Sequence, residues 1–207
     1  MFKKFSLVAL FFCFSVNLAI ASELEVKNFI NDLGNNIIDV ANDEKLTLDN
    51  KRDQLTEIID GVIDADWISK FVLGKNFRRA TTEQKEEFRV LYREFMINNY
   101  SPKFTGYNGE KFTIDAIISN GNYFTVKCLF ILKDDAPSIS LDFRVRENTK
   151  NTNSNKFLVF DIIAEGISLI ETQRSEFGSV ISRDGMEKFL KDLRIKNQNL
   201  KNKKNNG

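Results

Sequence analysis

The sequence predicts an α+β fold: N-terminal helices, a four-stranded twisted antiparallel meander sheet, and C-terminal helices. Three observations predict it. Apolar residues recur at helical spacing from Glu23 to Tyr100, the period changes from 3.6 to 2 after Gly106, and helical spacing returns after Gly166. Helices first and strands after, with short connections between the strands, make a segregated α+β chain rather than an alternating one.

The chain opens with Lys3 and Lys4, an almost wholly apolar run from Phe5 to Leu18, and the small-residue pattern Ala19-Ile20-Ala21. This is the layout of a secretory signal peptide over residues 1–21, cleaved after Ala21, and it is short for a membrane anchor. Cys13 follows Leu10-Phe11-Phe12, which lacks the small residues of a lipoprotein signal. Residues 22–193 then read as one domain. Val26, Phe29, Ile30, Leu33, Ile37 and Val40 predict an amphipathic helix from Glu23 to about Ala41, and Leu55, Ile58, Ile59 and Val62 predict a second over Asp49–Ile63. A short helix begins at Asp64 and stops at Gly74. Thr81-Thr-Glu-Gln84 has capping-box spacing and starts a helix with the stripe Phe88, Leu91, Tyr92, Phe95. Ser101-Pro102 is expected to end it.

Alternation then takes over. Asn120-Gly121 predicts a tight hairpin, Asp134-Asp-Ala-Pro137 a second turn, and Ile139, Leu141, Phe143 and Val145 alternate with polar residues. The last strand, Lys156–Glu165, places Phe157, Val159, Asp161 and Ile163 on one face and Leu158, Phe160, Ile162 and Ala164 on the other. Gly166 lets the chain turn directly into helices over Ser168–Ile181 and Asp184–Ile195. Residues 194–207 carry five bases and no acid, so they are expected to form a disordered basic tail.

Composition excludes several functions. With no histidine in 207 residues, there is no imidazole base, nucleophile activator or metal ligand. No glycine-rich phosphate loop is present. Cleavage removes two of the 30 bases and none of the 29 acids, leaving 28 against 29, a net charge of −1. That balance argues against a nucleic-acid partner. Cys128 is then the one cysteine, read as a small buried apolar residue.

The segment Asp161–Phe177, "DIIAEGISLIETQRSEF", resembles the signature of the MlaC family of periplasmic phospholipid-binding proteins, also called toluene-tolerance auxiliary proteins. A second matching segment is "FVLGKNFRRATTEQKEEFRVLYREFMINNY", Phe71–Tyr100. Phe157 and Phe160 stand where the family often has Trp and Tyr, and Phe77 where Trp or Tyr is common. The resemblance implies a monomeric periplasmic lipid carrier whose apolar cavity, between helices and sheet, holds the acyl chains of a phospholipid. It implies exchange of that lipid with an inner-membrane ABC transporter bearing an MCE-domain ring and with an outer-membrane lipoprotein–porin complex, maintaining outer-membrane asymmetry. Phospholipid is then cargo, and no cofactor, metal or catalytic residue is expected. The lining residues on this reading are Phe71, Phe88, Leu91, Tyr92, Phe95, Leu141, Phe143, Val145, Ile163, Ile170 and Phe177, while Asp161, Glu165, Gly166 and Arg174 hold the sheet–helix corner. Asp161 is expected to satisfy backbone N–H groups at the helix start or to pair with Arg174 or another base. The competing reading is an enzyme on a cone-shaped α+β scaffold, with Asp161 as general base and Tyr92 or Tyr100 as oxyanion donor. A third is an adaptor that binds proteins alone.

Overall fold

The computed structural model describes residues 14–105, 109–132, 138–149 and 155–205. The turn expected at Asp134–Pro137, and Lys3, Lys4 and Cys13 of the expected signal peptide, lie outside them. Among the described residues no helix is long and apolar enough to cross a membrane.

Helix α1 (Phe14–Asn42) buries Val26, Ile30, Leu33, Ile37 and Ala41, one stripe at helical spacing. In α2 (Leu48–Val62), Thr47 caps the start by accepting the Asn50 N–H at 3.2 Å. Asp64 caps α3 (Ala65–Leu73) through the Trp67 N–H at 3.1 Å, and Gly74, with φ of 53°, ends it in a 3-10 turn, Gly74–Arg78. Helix α4 (Thr82–Thr105) starts with both bonds of the expected capping box: Thr81 N–H to Gln84 Oε1 at 3.1 Å and Gln84 N–H to Thr81 Oγ1 at 3.2 Å. The expected stop at Ser101–Pro102 is corrected, because α4 continues to Thr105. A proline so near a helix end removes one hydrogen bond from a terminal turn, where many carbonyls lack helical partners anyway.

The sheet contains β1 (Gly109–Ser119), β2 (Phe124–Leu132), β3 (Ile139–Glu147), β4 (Phe157–Ala164) and β5 (Ile167–Ser168), antiparallel and in that order. The expected four strands are therefore five. Glu165 and Gly166 both take positive φ, 48° and 81°, and close a two-residue hairpin that pairs Ala164 with Ile167. The first hairpin uses four loop residues, Asn120–Tyr123, with Gly121 at φ 80° and the Asn120 N–H bonded to the Tyr123 carbonyl at 2.8 Å.

A bulge in β4 corrects the predicted faces of that strand. Val145 pairs with Val159 but Arg144 pairs with Asp161, so Phe160 is an extra residue. Ile162, rather than Asp161 or Ile163, therefore packs in the same cluster as Val159.

Helices α5 (Leu169–Asp184) and α6 (Met186–Asn205) complete the chain. The tail expected to be disordered from Arg194 is helical to Asn205. Its Asn197 is buried and donates to the Leu91 carbonyl at 2.8 Å, Arg194 pairs with Glu87, and Lys201 pairs with Glu94 at 3.1 Å. The polar composition misled because α6 meets α4 through hydrogen bonds and ion pairs as well as through Leu193.

Candidate functional site

Two apolar clusters divide the interior. One is a layer between α1, α2 and the sheet. It contains Val26, Ile30, Leu33 and Ile37 of α1, Leu55 of α2, and Val126, Cys128, Phe130, Phe143, Val145, Phe157 and Val159 of the strands. Phe29, Phe112, Leu141 and Ile162 pack against it half-buried. Gly34 brings α1 close to β1, since a Cβ there would stand 2.7 Å from the Phe112 ring. The buried polar side chains among the described residues are Asp64, Ser69, Asn76, Asn148, Asp161, Gln173 and Asn197. None of them lies on α1, α2, β1, β2 or β3. Burial pushes the Cys128 thiol far up, so it stays protonated and apolar.

The second cluster joins α3, α4, α5 and α6. Its aromatic rings interlock: Phe177 meets Phe88 at 6.3 Å, Phe95 at 5.9 Å and Phe189 at 5.1 Å between centroids. It also contains a polar network. Tyr92 donates its hydroxyl to Gln173 Oε1, and Gln173 Nε2 donates to the Tyr100 oxygen at 3.1 Å. Burial, with Tyr100 and Asp161 nearby, pushes the Tyr92 hydroxyl well above its ordinary value. Interlocked rings around satisfied polar bonds specify one arrangement.

The sequence-predicted lining residues divide between these clusters. Phe88, Leu91, Tyr92, Phe95, Ile170 and Phe177 are buried among the helices, with Phe71 packed against them. Phe143 and Val145 are buried in the α1/α2 layer, and Leu141 packs on it. Ile163 is half-buried and pairs with Asp142 and Ser168. The structure thus does not bring the helix set and the strand set into one chamber. Phe29, Ile30, Leu33, Val126 and Phe130 share the layer with the strand set, and their helical and alternate spacing was the signal that could have added them.

The corner residues are fully engaged. Asp161 accepts the Ser168 hydroxyl at 2.7 Å, the Ile170 N–H at 3.3 Å and Arg144 Nη1 at 3.0 Å. Ser168 in turn caps α5 by accepting the Glu171 N–H at 3.2 Å. Burial raises the Asp161 carboxyl above its ordinary range, against the lowering effect of these partners. Glu165 accepts the Ser140 N–H at 2.8 Å. Arg174 stacks 4.7 Å over the Phe71 ring and lies against Gly74, so the base beside Asp161 is Arg144 rather than Arg174.

Where the two clusters meet, at the β4 bulge, lies a pocket of about 20 Å³. Ile63, Ile68, Met96, Val159, Ile162 and Leu169 are among its walls. Val159 and Ile162 belong to the layer, Ile68 and Met96 to the helical cluster. Among the described residues, no group of three or more metal-ligating side chains is present.

The MlaC protein family matches residues 31–195. The chain belongs to the MlaC family. Among its curated relatives is the intermembrane phospholipid transport system binding protein MlaC of Haemophilus influenzae, 21% identical over 130 residues, covering 62% of this chain and 59% of that one. Another is the toluene tolerance protein ttg2D of Pseudomonas putida, 24% identical over 143 residues, covering 64% and 60%. The chain thus spans about three fifths of the length of these relatives. A similar solved fold is that of a phospholipid-binding protein from Ralstonia solanacearum in complex with a phospholipid. It superposes with a TM-score of 0.67 at 19% identity over 86% of this chain and 97% of that one.

Proposed function

We propose that the protein is a periplasmic carrier that holds one phospholipid by its acyl chains and performs no chemistry on it. The observation that carries this reading is the α1/α2 layer: among the described residues, no buried polar residue lies on α1, α2, β1, β2 or β3. A diacyl lipid has roughly 30 methylenes, and exposing each to water costs about 0.8 kcal/mol, so it crosses an aqueous gap only when covered. The covering surface needs apolar area and few polar atoms. The layer supplies both, whereas the helical cluster is locked by the Tyr92–Gln173–Tyr100 bonds and interlocking rings. Leu141, Phe143 and Val145 are on this reading the acyl wall, and Phe88, Leu91, Tyr92, Phe95 and Phe177 are the packed core behind it.

Loading requires movement. The seam pocket of about 20 Å³ is far below the ~300–1,000 Å³ of ordinary ligand sites, so α1 and α2 must part from the sheet. The polar ties of α1 include the Glu25–Lys156 pair at 2.6 Å, both partners largely exposed, and Lys51 Nζ to the Ala41 carbonyl at 2.6 Å. Such an exposed ion pair contributes ~0–1 kcal/mol and does not prevent parting.

Existing hydrogen bonds weigh against the enzyme alternative of Asp161 with Tyr92 or Tyr100, Tyr100 itself accepting from Gln173 Nε2. Asp161 is occupied by Ser168, Ile170 and Arg144, and the Tyr92 hydroxyl by Gln173. The leader at residues 1–21 supports export to the periplasm. Family membership supports exchange with an inner-membrane ABC transporter and an outer-membrane lipoprotein–porin complex. The test is an organic extract of the protein purified without detergent, read by mass spectrometry. About one phospholipid per chain is expected, and a lipid-free protein after gentle purification would overturn the reading.

A further inference from the structure

The two helices that cover the apolar layer are held differently. Helix α2 is pinned at its C-terminal end. Asp60 pairs with Arg93 of α4, and the Gly61 carbonyl accepts Asn155 Nδ2 at 2.8 Å. Ile63 bridges to Val159 of β4, and the Asp64 N–H donates to the Val159 carbonyl at 2.9 Å. The Asp64 carboxylate is itself buried and paired with Arg146 of β3.

Helix α1 has no such anchor. Among the described residues, two polar ties join it to other elements. One is the exposed Glu25–Lys156 pair at 2.6 Å. The other, Lys51 Nζ to the Ala41 carbonyl, sits at the turn into α2, where a moving α1 pivots. Between these ties the contacts are apolar. Val26, Ile30, Leu33 and Ile37 sit in the layer, and Gly34 lies against the Phe112 ring of β1. Such contacts are non-directional, so acyl chains can take the place of the sheet against α1 and offset the apolar area it exposes on opening. Covalent structure adds to the asymmetry. With the leader cleaved after Ala21, α1 starts at Ser22 and is joined to the chain only through the connection 43–47. A short connection beside a helix end is where a hinge absorbs its change of angle.

We infer that α1 is the gate of the carrier: it swings about the connection 43–47, phospholipid enters and leaves between α1 and the sheet, and α2 keeps its anchor at Asp60–Asp64 throughout. The inference rests on the carrier reading, which places the acyl chains in the layer that α1 covers.

The test locks α1 shut in the lipid-free mature chain. A Cβ at Gly34 stands 3.1 Å from Phe112 Cγ, one bond from that residue's own Cβ. Gly34→Cys with Phe112→Cys is therefore within reach of a disulfide, whose Cβ atoms lie about 3.5–4.5 Å apart. Cys128 stays out of it, being buried and protonated. Oxidised and reduced protein are each offered phosphatidylethanolamine in octyl glucoside micelles, the detergent is removed, and bound lipid is measured by mass spectrometry. The oxidised form is expected to bind at least about tenfold less than the reduced form, because the lock removes the state that admits lipid. Gly61→Cys with Asn155→Cys, joined by a short bis-maleimide, clamps α2 where it is already tied and leaves loading unchanged. Glu25→Cys with Lys156→Cys, joined by the same linker, holds the free end of α1 through two exposed positions and also blocks loading. This lock decides the matter if the first pair fails to fold, to close or to load when reduced. Loading at the wild-type level with α1 locked overturns the inference. Loss of loading in the α2 clamp overturns it too, since α2 would then have to leave its anchor. A wild-type chain that carries no phospholipid, as purified or after reloading, overturns the carrier reading instead.

Discussion

Asp161 is a buried carboxylate at a sheet–helix junction, the kind of group that invites a catalytic reading. Its partners favour a structural role, because the Ser168 hydroxyl and the Ile170 N–H, at the start of α5, and the Arg144 guanidinium use both of its oxygens. Asp161→Asn turns a donor toward Arg144 and is expected to cost about 1–3 kcal/mol at neutral pH in a denaturant titration. Its pH dependence follows from the raised pKa. Between the ordinary value of 3.8 and the higher folded value, the folded state keeps a proton that the unfolded chain has released. Stability therefore falls as pH rises through that window, and the asparagine variant lacks this fall. The advantage of wild type over the variant should be larger near pH 3.5 than at pH 7; an advantage that grows with pH would contradict this account.

Among the elements, the sequence showed its helices and strands through period, and the helix starts at Asp64 and Thr81 through local spacing; the Thr47 cap was not read from it. The β4 bulge was not legible. One extra residue at Phe160 depends on pairing with β3, and nothing within β4 itself announces it. It moved Ile162 into the layer and turned Asp161 toward the α5 start. Likewise the second half of α6, beyond the predicted end at Ile195, was hidden because its ties to Leu91 and Glu94 come from a helix about a hundred positions away. The composition of the tail was informative only about its lack of apolar residues. The close approach of α1 to β1 was also invisible in sequence, since Gly34 gains its meaning from the Phe112 ring. Gly34→Leu places a side chain where that ring lies and should lower stability by about 1–3 kcal/mol, measured by urea unfolding. Unchanged stability would mean that α1 does not pack there.

The whole molecule holds two unlike apolar regions, one between α1, α2 and the sheet and one among α3–α6, which meet at β4. Composition pointed to a large apolar interior without catalytic groups, but it did not show that the interior is divided. That division depends on which strand face meets which helices, and it separates Leu141, Phe143 and Val145 from Phe88, Tyr92 and Phe177. The central claim is that acyl chains occupy the α1/α2 side. The most direct measurement loads the protein with a phospholipid bearing a photoreactive diazirine near its acyl terminus, irradiates it and locates the adducts by peptide mass spectrometry. Adducts on Phe29, Phe112, Leu141 or Phe143 are the predicted result; adducts concentrated on Phe88, Tyr92, Phe95 or Phe177 would place the lipid among the helices and contradict the account.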